Sequence, residues 1–198
     1  MPKIVDHDTR RAELVEASWA VIAAEGLEGL TMRKVADAAG CTTGRITHYF
    51  ADREALVLAA LRAVNGATGS RTDALLSGDA PPEEKLILCL EEGLPLDKPR
   101  QLEWKVWIAF WAAAASNREL AKENDARHHG LIKAQSPLIK AVAPRADADH
   151  EARILMGILD GLGLIAAINP TARNKTNAQD AVHTHVTAMI DANSQKGA

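Results

Sequence analysis

Between Thr31 and Leu56 the chain reads TMRKVADAAGCTTGRITHYFADREAL, and no other stretch limits the possible folds so tightly. Gly40 stops a helix that Thr31 can cap, so that helix spans only Met32 to Ala39. Thr42 opens a second short helix that ends near Tyr49, and Asp52 caps a longer one that passes Val64. Two short helices joined by so tight a turn must cross steeply. Such a crossing needs a small residue at the contact, a glycine in the turn and apolar residues holding the second helix. Ala36, Gly40 and the set Val35, Ala39, Cys41, Ile46 and Tyr49 meet those needs. Together they form a helix-turn-helix pattern.

The rest of the chain keeps helical spacing. Alanine and leucine dominate, no segment alternates with a strand period, and there is no internal repeat. A first helix starts near Asp8 or Thr9, buries Leu14, Ala17, Ser18, Val21 and Ile22, and stops at Gly26. Loops are expected at Ser77–Pro82, Gly93–Pro99, Ala143–Asp147 and Asn169–Thr176. Asn117 caps a helix to about Val142 that Pro137 bends or splits. The expectation is an all-α fold of about nine helices. With a formal net charge of −3 over 198 residues, the chain is not a strongly basic nucleic-acid binder, so any DNA contact needs a local patch. Cys41 and Cys89 match no zinc spacing, and nothing calls for a cofactor. The N-terminus has no apolar leader. The apolar run Ile154–Ile168 is too short to span a bilayer and contains Asp160, so no membrane association and a cytoplasmic location are expected.

The second half carries its own patterns. Trp104, Trp107 and Trp111 share one helix face, with Phe110 beside them. They either fill a core or wall a pocket. In the second case their faces suit a flat ligand or an organic cation. Leu120, Asn124, His128, Leu131, Gln135 and Leu138 form a mixed stripe on the next helix, which is either solvent-exposed or gives a pocket its polar groups. Asp125 and His129 share a face but have no third ligand, so a metal site is not expected. Ile154–Ile168 is apolar all round, as a helix buried on both sides is. Gly157 and Gly161 on it allow close approach by another helix, and Gly163 adds a further small site. Val182, Val186, Met189 and Ile190 form a stripe on the last helix to pair with it. Asp160 is the exception: it is either paired within the protein or meets a cationic ligand.

EGLEGLT, VADAAG, TTGRITHYF and ADREAL, within Arg10–Leu61, resemble the TetR family of repressors. His48, Tyr49 and Phe50 hold the family's aromatic positions before the fourth helix. Arg53 stands where a lysine is usual, and Cys41 where a valine is usual. EWKVWIAFWAAAA and ILDGLGL more weakly resemble the BetI-type, choline-responsive branch. The resemblance implies a DNA-binding domain over residues 1–51 and a helical effector-binding and dimerisation domain over 52–198. It implies base or phosphate contacts from Thr43, Arg45, Thr47 and His48, and phosphate contacts from Tyr49, Arg53, Thr31 and Thr42. It implies a homodimer on a pseudo-palindromic operator, with Gly157, Gly161, Ile165 and the Val182–Ile190 stripe between subunits. It also implies a small-molecule effector, with an organic cation favoured, held by Trp104, Trp107, Phe110, Trp111, Asn124, His128, Gln135 and Asp160. The chain is read as a repressor, with a same-fold activator or architectural DNA-binding protein as the alternative. No nucleophile–base pair or metal triad supports an enzyme.

Overall fold

A computed structural model describes residues 7–195. Its order is α1 (His7–Gly29), α2 (Met32–Ala38), α3 (Thr43–Tyr49), α4 (Arg53–Leu76), α5 (Pro82–Glu92), α6 (Lys98–Ala114), α7 (Arg118–Val142), α8 (Ala148–Ile168) and α9 (Ala172–Gln195). The expected all-α class and helix number hold among the described residues.

Most boundaries follow from side-chain caps. Thr31 accepts from the Lys34 amide at 3.2 Å and Asp52 from the Ala55 amide at 2.7 Å. Asn117 takes both the Glu119 and Leu120 amides. Asp97 and Asp147 cap α6 and α8 by bonding the amides three residues on; each such cap is worth about 1 kcal/mol. Four boundaries differ from expectation. The chain is already helical at His7, so Asp8 and Thr9 lie inside α1 and do not cap it. Gly26, at φ 72°, breaks α1 without ending it, and one more turn reaches Gly29. α7 runs unbroken through Pro137. The last loop shrinks because Thr171 accepts from the Asn174 amide and starts α9 early.

Two apolar cores form. The first joins Leu14, Val15 and Ile22 of α1 to Val35 and Ala36 of α2, Ile46 of α3, Leu56, Leu61 and Val64 of α4, and Val106, Trp107 and Phe110 of α6. The second joins Leu86 and Leu90 of α5, Ile139 of α7, Leu155 and Leu159 of α8, and Val182, Val186 and Met189 of α9. Each large side chain fully buried in them contributes about 1.5–3 kcal/mol. The α4 helix, 24 residues long, leaves the first core near Val64 and runs on beside the second.

One expectation is corrected here. Val182, Val186 and Met189 are buried within their own chain, with Ile190 packed against the same core. They hold α9 against its neighbours in this subunit and offer no free face to another. The α8 helix keeps its expected two faces: one packs in the second core, and on the other Gly157 and Gly161 are exposed, with Ile165 51 % and Ile168 69 % exposed in the single chain. An outward apolar strip is left.

On the inward side of α8, Gly163 fits a narrow space. A Cβ there would lie 2.3 Å from the Trp104 ring. That ring is fixed, because its Nε1 donates to the Gly93 carbonyl at 3.0 Å. Gly163→Ala is therefore expected to destabilise the chain by about 1–3 kcal/mol through overpacking. Urea unfolding followed by circular dichroism checks this; an unchanged midpoint would show that the ring can yield.

Candidate functional site

The head is built from α2 and α3. Val35, Ala36 and Ile46 are fully buried, and Gly40, at φ 61°, makes the turn that only a residue without a Cβ adopts freely. Burial of Ile46 turns the opposite side of α3 outward, leaving Thr42, Thr43, Arg45, Thr47 and His48 exposed. The expected contact residues thus share one surface, but their side chains are not equally available. Thr47 Oγ1 donates to the Gly44 carbonyl at 3.1 Å. Thr42 makes no side-chain cap bond, contrary to its expected capping role, so its hydroxyl is open. Tyr49 is half-buried and rests against the His7 ring at 4.5 Å.

Arg53 is a correction. Its Nε donates to the Leu30 carbonyl at 2.9 Å and its Nη2 to the Leu27 carbonyl. Both acceptors lie at the broken end of α1, where helix carbonyls have no partner of their own. The guanidinium is occupied inside the head and does not reach out to a phosphate. Three more of the head's cations are occupied: Arg10 pairs with Glu13, Lys34 with Glu25, and Arg11 lies over the Phe50 ring. Exposed Arg33 and Arg45 remain, with no such contact among the described residues. Sequence reasoning passed over Arg33. The sign it carried was its place in the first turn of a helix capped by Thr31, beside Lys34.

The second site is an internal chamber of about 90 Å³ walled by α4 to α8. It adjoins a wider cleft of about 380 Å³ between α4 and α7. Trp104, Trp107, Trp111, Gln135 and Asp160 line the chamber, so those expected residues do converge. Phe110 does not: it is fully buried in the first core. Asn124 and His128 also face elsewhere, into an open outer groove on α6, α7 and α8. There Asn124 Oδ1 accepts from Trp111 Nε1 at 3.0 Å. His128 Nε2 stands 3.3 Å from Asp160 Oδ2, near enough for an ion pair though not aligned as a hydrogen bond. Asp160 thus faces an imidazole of its own chain, which pairs with it when protonated.

Arg127 was missed, and it changes the chamber's chemistry. Its guanidinium lies over the Trp107 ring at 4.1 Å and near the Trp111 ring at 5.8 Å. The indole faces on which an organic cation was expected already carry a cation from the chain itself. Burial lowers the Arg127 pKa and the charge of Asp160 partly restores it; guanidinium stays protonated at any ordinary pH. Its Nη1 is buried without a hydrogen-bond partner, as is Gln135 Oε1. Such groups cost about 1–3 kcal/mol each when unsatisfied.

Beside Arg127 lies a fully paired ionic cluster. Arg71 donates from Nη1 and Nη2 to the two Glu103 oxygens at 2.9 and 2.8 Å and from Nε to Glu92, which raises its pKa. Arg100 reaches Glu92 at 3.4 Å and Asp97 at 2.8 Å. Among the described residues no group of three His, Cys, Asp or Glu could hold a metal ion. His129 Nδ1 is instead 2.8 Å from the Asp125 carbonyl. No described helix is long and apolar enough to cross a membrane.

Comparison with known proteins points the same way for both halves. Residues 14–60 match the family described as bacterial regulatory proteins, tetR family. Residues 82–191 match the BetI-type transcriptional repressor, C-terminal. The HTH-type transcriptional regulator PksA of Bacillus subtilis is 32 % identical over 195 residues, 96 % of this chain and 94 % of that one. BetI 2 of Chromohalobacter salexigens is 29 % identical and covers 96 % of this chain and 93 % of its own. A transcriptional regulator of Rhodococcus sp. Rha1 superposes with a TM-score of 0.81 at 26 % identity, covering 92 % and 96 % of the two chains. The fold is also shared by a putative regulator of Saccharomonospora viridis crystallised with choline, with a TM-score of 0.82 at 21 % identity over 91 % and 97 % of the chains.

The head's geometry separates two arginines that look alike in the sequence. Arg53→Ala is expected to destabilise the chain by about 1–3 kcal/mol, because it leaves helix-end carbonyls unpartnered. Arg45→Ala should leave stability within about 0.5 kcal/mol. Thermal unfolding of the two variants decides this, and equal losses would refute the assigned role of Arg53.

Proposed function

The chain belongs to the TetR family of bacterial regulatory proteins, with a BetI-type C-terminal half, and on that premise we propose that it is a dimeric repressor released from its operator by a small molecule. It is a helix-turn-helix transcriptional regulator and not an enzyme. The observation that carries the finer reading is the course of α4. Its first half, Leu56 to Val64, is buried in the head's core, while Thr68, Thr72 and Leu76 on its second half line the chamber. One helix of about 36 Å, at 1.5 Å per residue, therefore touches both sites. A ligand that fits the chamber better when α4 has shifted weakens DNA binding by its difference in affinity for the two arrangements, typically 1–3 kcal/mol.

Residues 1–51 act as the reading head and 52–198 as the effector and dimer part. The exposed strip Gly157, Gly161, Ile165 and Ile168 is the surface for a second subunit, since apolar strips of this kind on soluble chains mark association sites. Two symmetric heads read a pseudo-palindromic operator. Thr31, Thr42, Thr43, Thr47, His48 and half-buried Tyr49 sit around Arg45 as its neighbours on the DNA. The location is the bacterial cytoplasm, where operators are.

Three measurements test this. Arg45→Ala should weaken operator binding by about 1–3 kcal/mol and relax preference at one base position; Arg33→Ala should weaken binding evenly across sequences. With Arg33 and Arg45 free on each of two heads, the log–log salt dependence of affinity should have a slope of about −4; a flat dependence overturns the DNA assignment. Light scattering at micromolar concentration should give two chains, and Gly161→Arg or Ile165→Asp should give one. Operator position relative to the promoter separates repressor from activator.

A further inference from the structure

Arg127, Leu131 and Gln135 recur every four residues of α7, so one helix face presents them in line over two turns, about 12 Å. All three line the chamber, together with Leu138, Met156 and Leu159. The face is charged at one end, apolar in the middle and polar at the other. The two polar ends are also where partners are missing. Arg127 Nη1 and Gln135 Oε1 are buried and unbonded, the latter residue having only the Met156 sulfur 3.6 Å from its Nε2. The amide can turn either end inward, so it can donate to a ligand or accept from one.

The other charges restrict what can satisfy Arg127. Trp107 covers its guanidinium from one side at 4.1 Å, which leaves the planar edge for an acceptor. Of the nearby carboxylates, Glu103 and Glu92 are engaged by Arg71 and Arg100, while Asp160 stands 3.3 Å from His128 Nε2 and acts on Arg127 through its charge without a hydrogen bond to it. A quaternary ammonium would have to displace a cation from the indoles and would face a guanidinium. A phosphate, with two negative charges, would meet three carboxylates on the same walls. A single carboxylate matches the fork of two N–H groups that a guanidinium offers, and an apolar body matches Leu131, Leu138, Met156 and Leu159.

We propose that the effector is an elongate monocarboxylate with an apolar body, its carboxylate on Arg127 and its chain running along α7 towards Gln135. This deepens the effector reading of the same chamber and departs from the organic-cation expectation. The reason is that the chain itself supplies the cation to the indole stack.

The test is a tryptophan-fluorescence titration of the full-length protein with octanoate, octyltrimethylammonium and choline, all below micelle formation. Three of the four tryptophans line the chamber. Octanoate should bind, and both cations should bind at least tenfold more weakly. Arg127→Gln should weaken octanoate at least tenfold, Arg127→Lys should recover part of the loss, and Lys122→Gln, on the exposed side of α7, should change nothing. Circular dichroism establishes that each variant is folded; if Arg127→Gln is not, the comparison with Arg127→Lys still reports the need for a fork. Tighter binding of either cation than of octanoate, or octanoate binding untouched in Arg127→Gln, overturns the proposal. Operator release is measured separately. Octanoate that binds through Arg127 without releasing DNA leaves the carboxylate site standing and refutes the effector role. Release by choline alone does the reverse.

Discussion

The paired hydrogen bonds between Arg71 and Glu103 hold the effector half in shape. Glu103 is only 6 % exposed, so its charge must be met within the protein, and the guanidinium fork of Arg71 meets both oxygens. Arg71 belongs to α4, Glu103 to α6, and Glu92, the third member, to α5. Three walls of the chamber are tied at one point. The carboxylate is the buried member, and leaving it without its partner costs about 1–3 kcal/mol, while the more exposed Arg71 can turn to water. The second half of α4 can stand away from a solid apolar core, and so leave a chamber, because this cluster anchors it.

A tie of that kind also directs how a disturbance spreads. The head's core grips α4 from Leu56 to Val64, and the ionic cluster grips it at Arg71. Between them, Thr68 and the cleft beside it offer little apolar contact. On the proposed effector role, a ligand pushing on this middle stretch would work against a helix held at both ends and so tilt it as a unit. Trp19 adds a further tie, since its Nε1 donates to the Ala60 carbonyl at 3.1 Å and links α1 to α4.

The head was legible in the sequence because its determinants are local. A cap such as Thr31, a turn glycine such as Gly40 and a buried Ile46 act within a few residues, and their spacing fixes the geometry. The chamber was legible only in outline. The tryptophan stripe placed one of its walls correctly, but the polar stripe at Asn124, His128 and Gln135 mixed two faces of α7. Leu131 and Gln135 turn inward, whereas Asn124 and His128 turn outward. Arg127 sits one residue from that stripe, and its role depends on an indole 20 positions earlier that no periodicity connects to it. The α9 stripe failed for another reason. An apolar face at Val182, Val186 and Met189 says that something covers it, not whether the cover belongs to the same chain. Arg53 shows the same limit, because the need for a cation at Leu27 and Leu30 arises only once Gly26 breaks α1.

The small number of unengaged cations on the head bears on how such a protein searches for its site. Attraction to random DNA comes almost wholly from phosphate contacts, and it weakens about as the power of salt set by their number. Among the described residues, Arg53 is taken up by carbonyls inside the head, and Arg10, Lys34 and Arg11 are engaged at its surface by two carboxylates and a ring, which leaves few unengaged cations to hold an arbitrary sequence. Weak adhesion of this kind would give short intervals on each stretch of duplex and longer ones in free diffusion. Discrimination would then come less from tight adhesion to the right site than from the ease with which every wrong one is left.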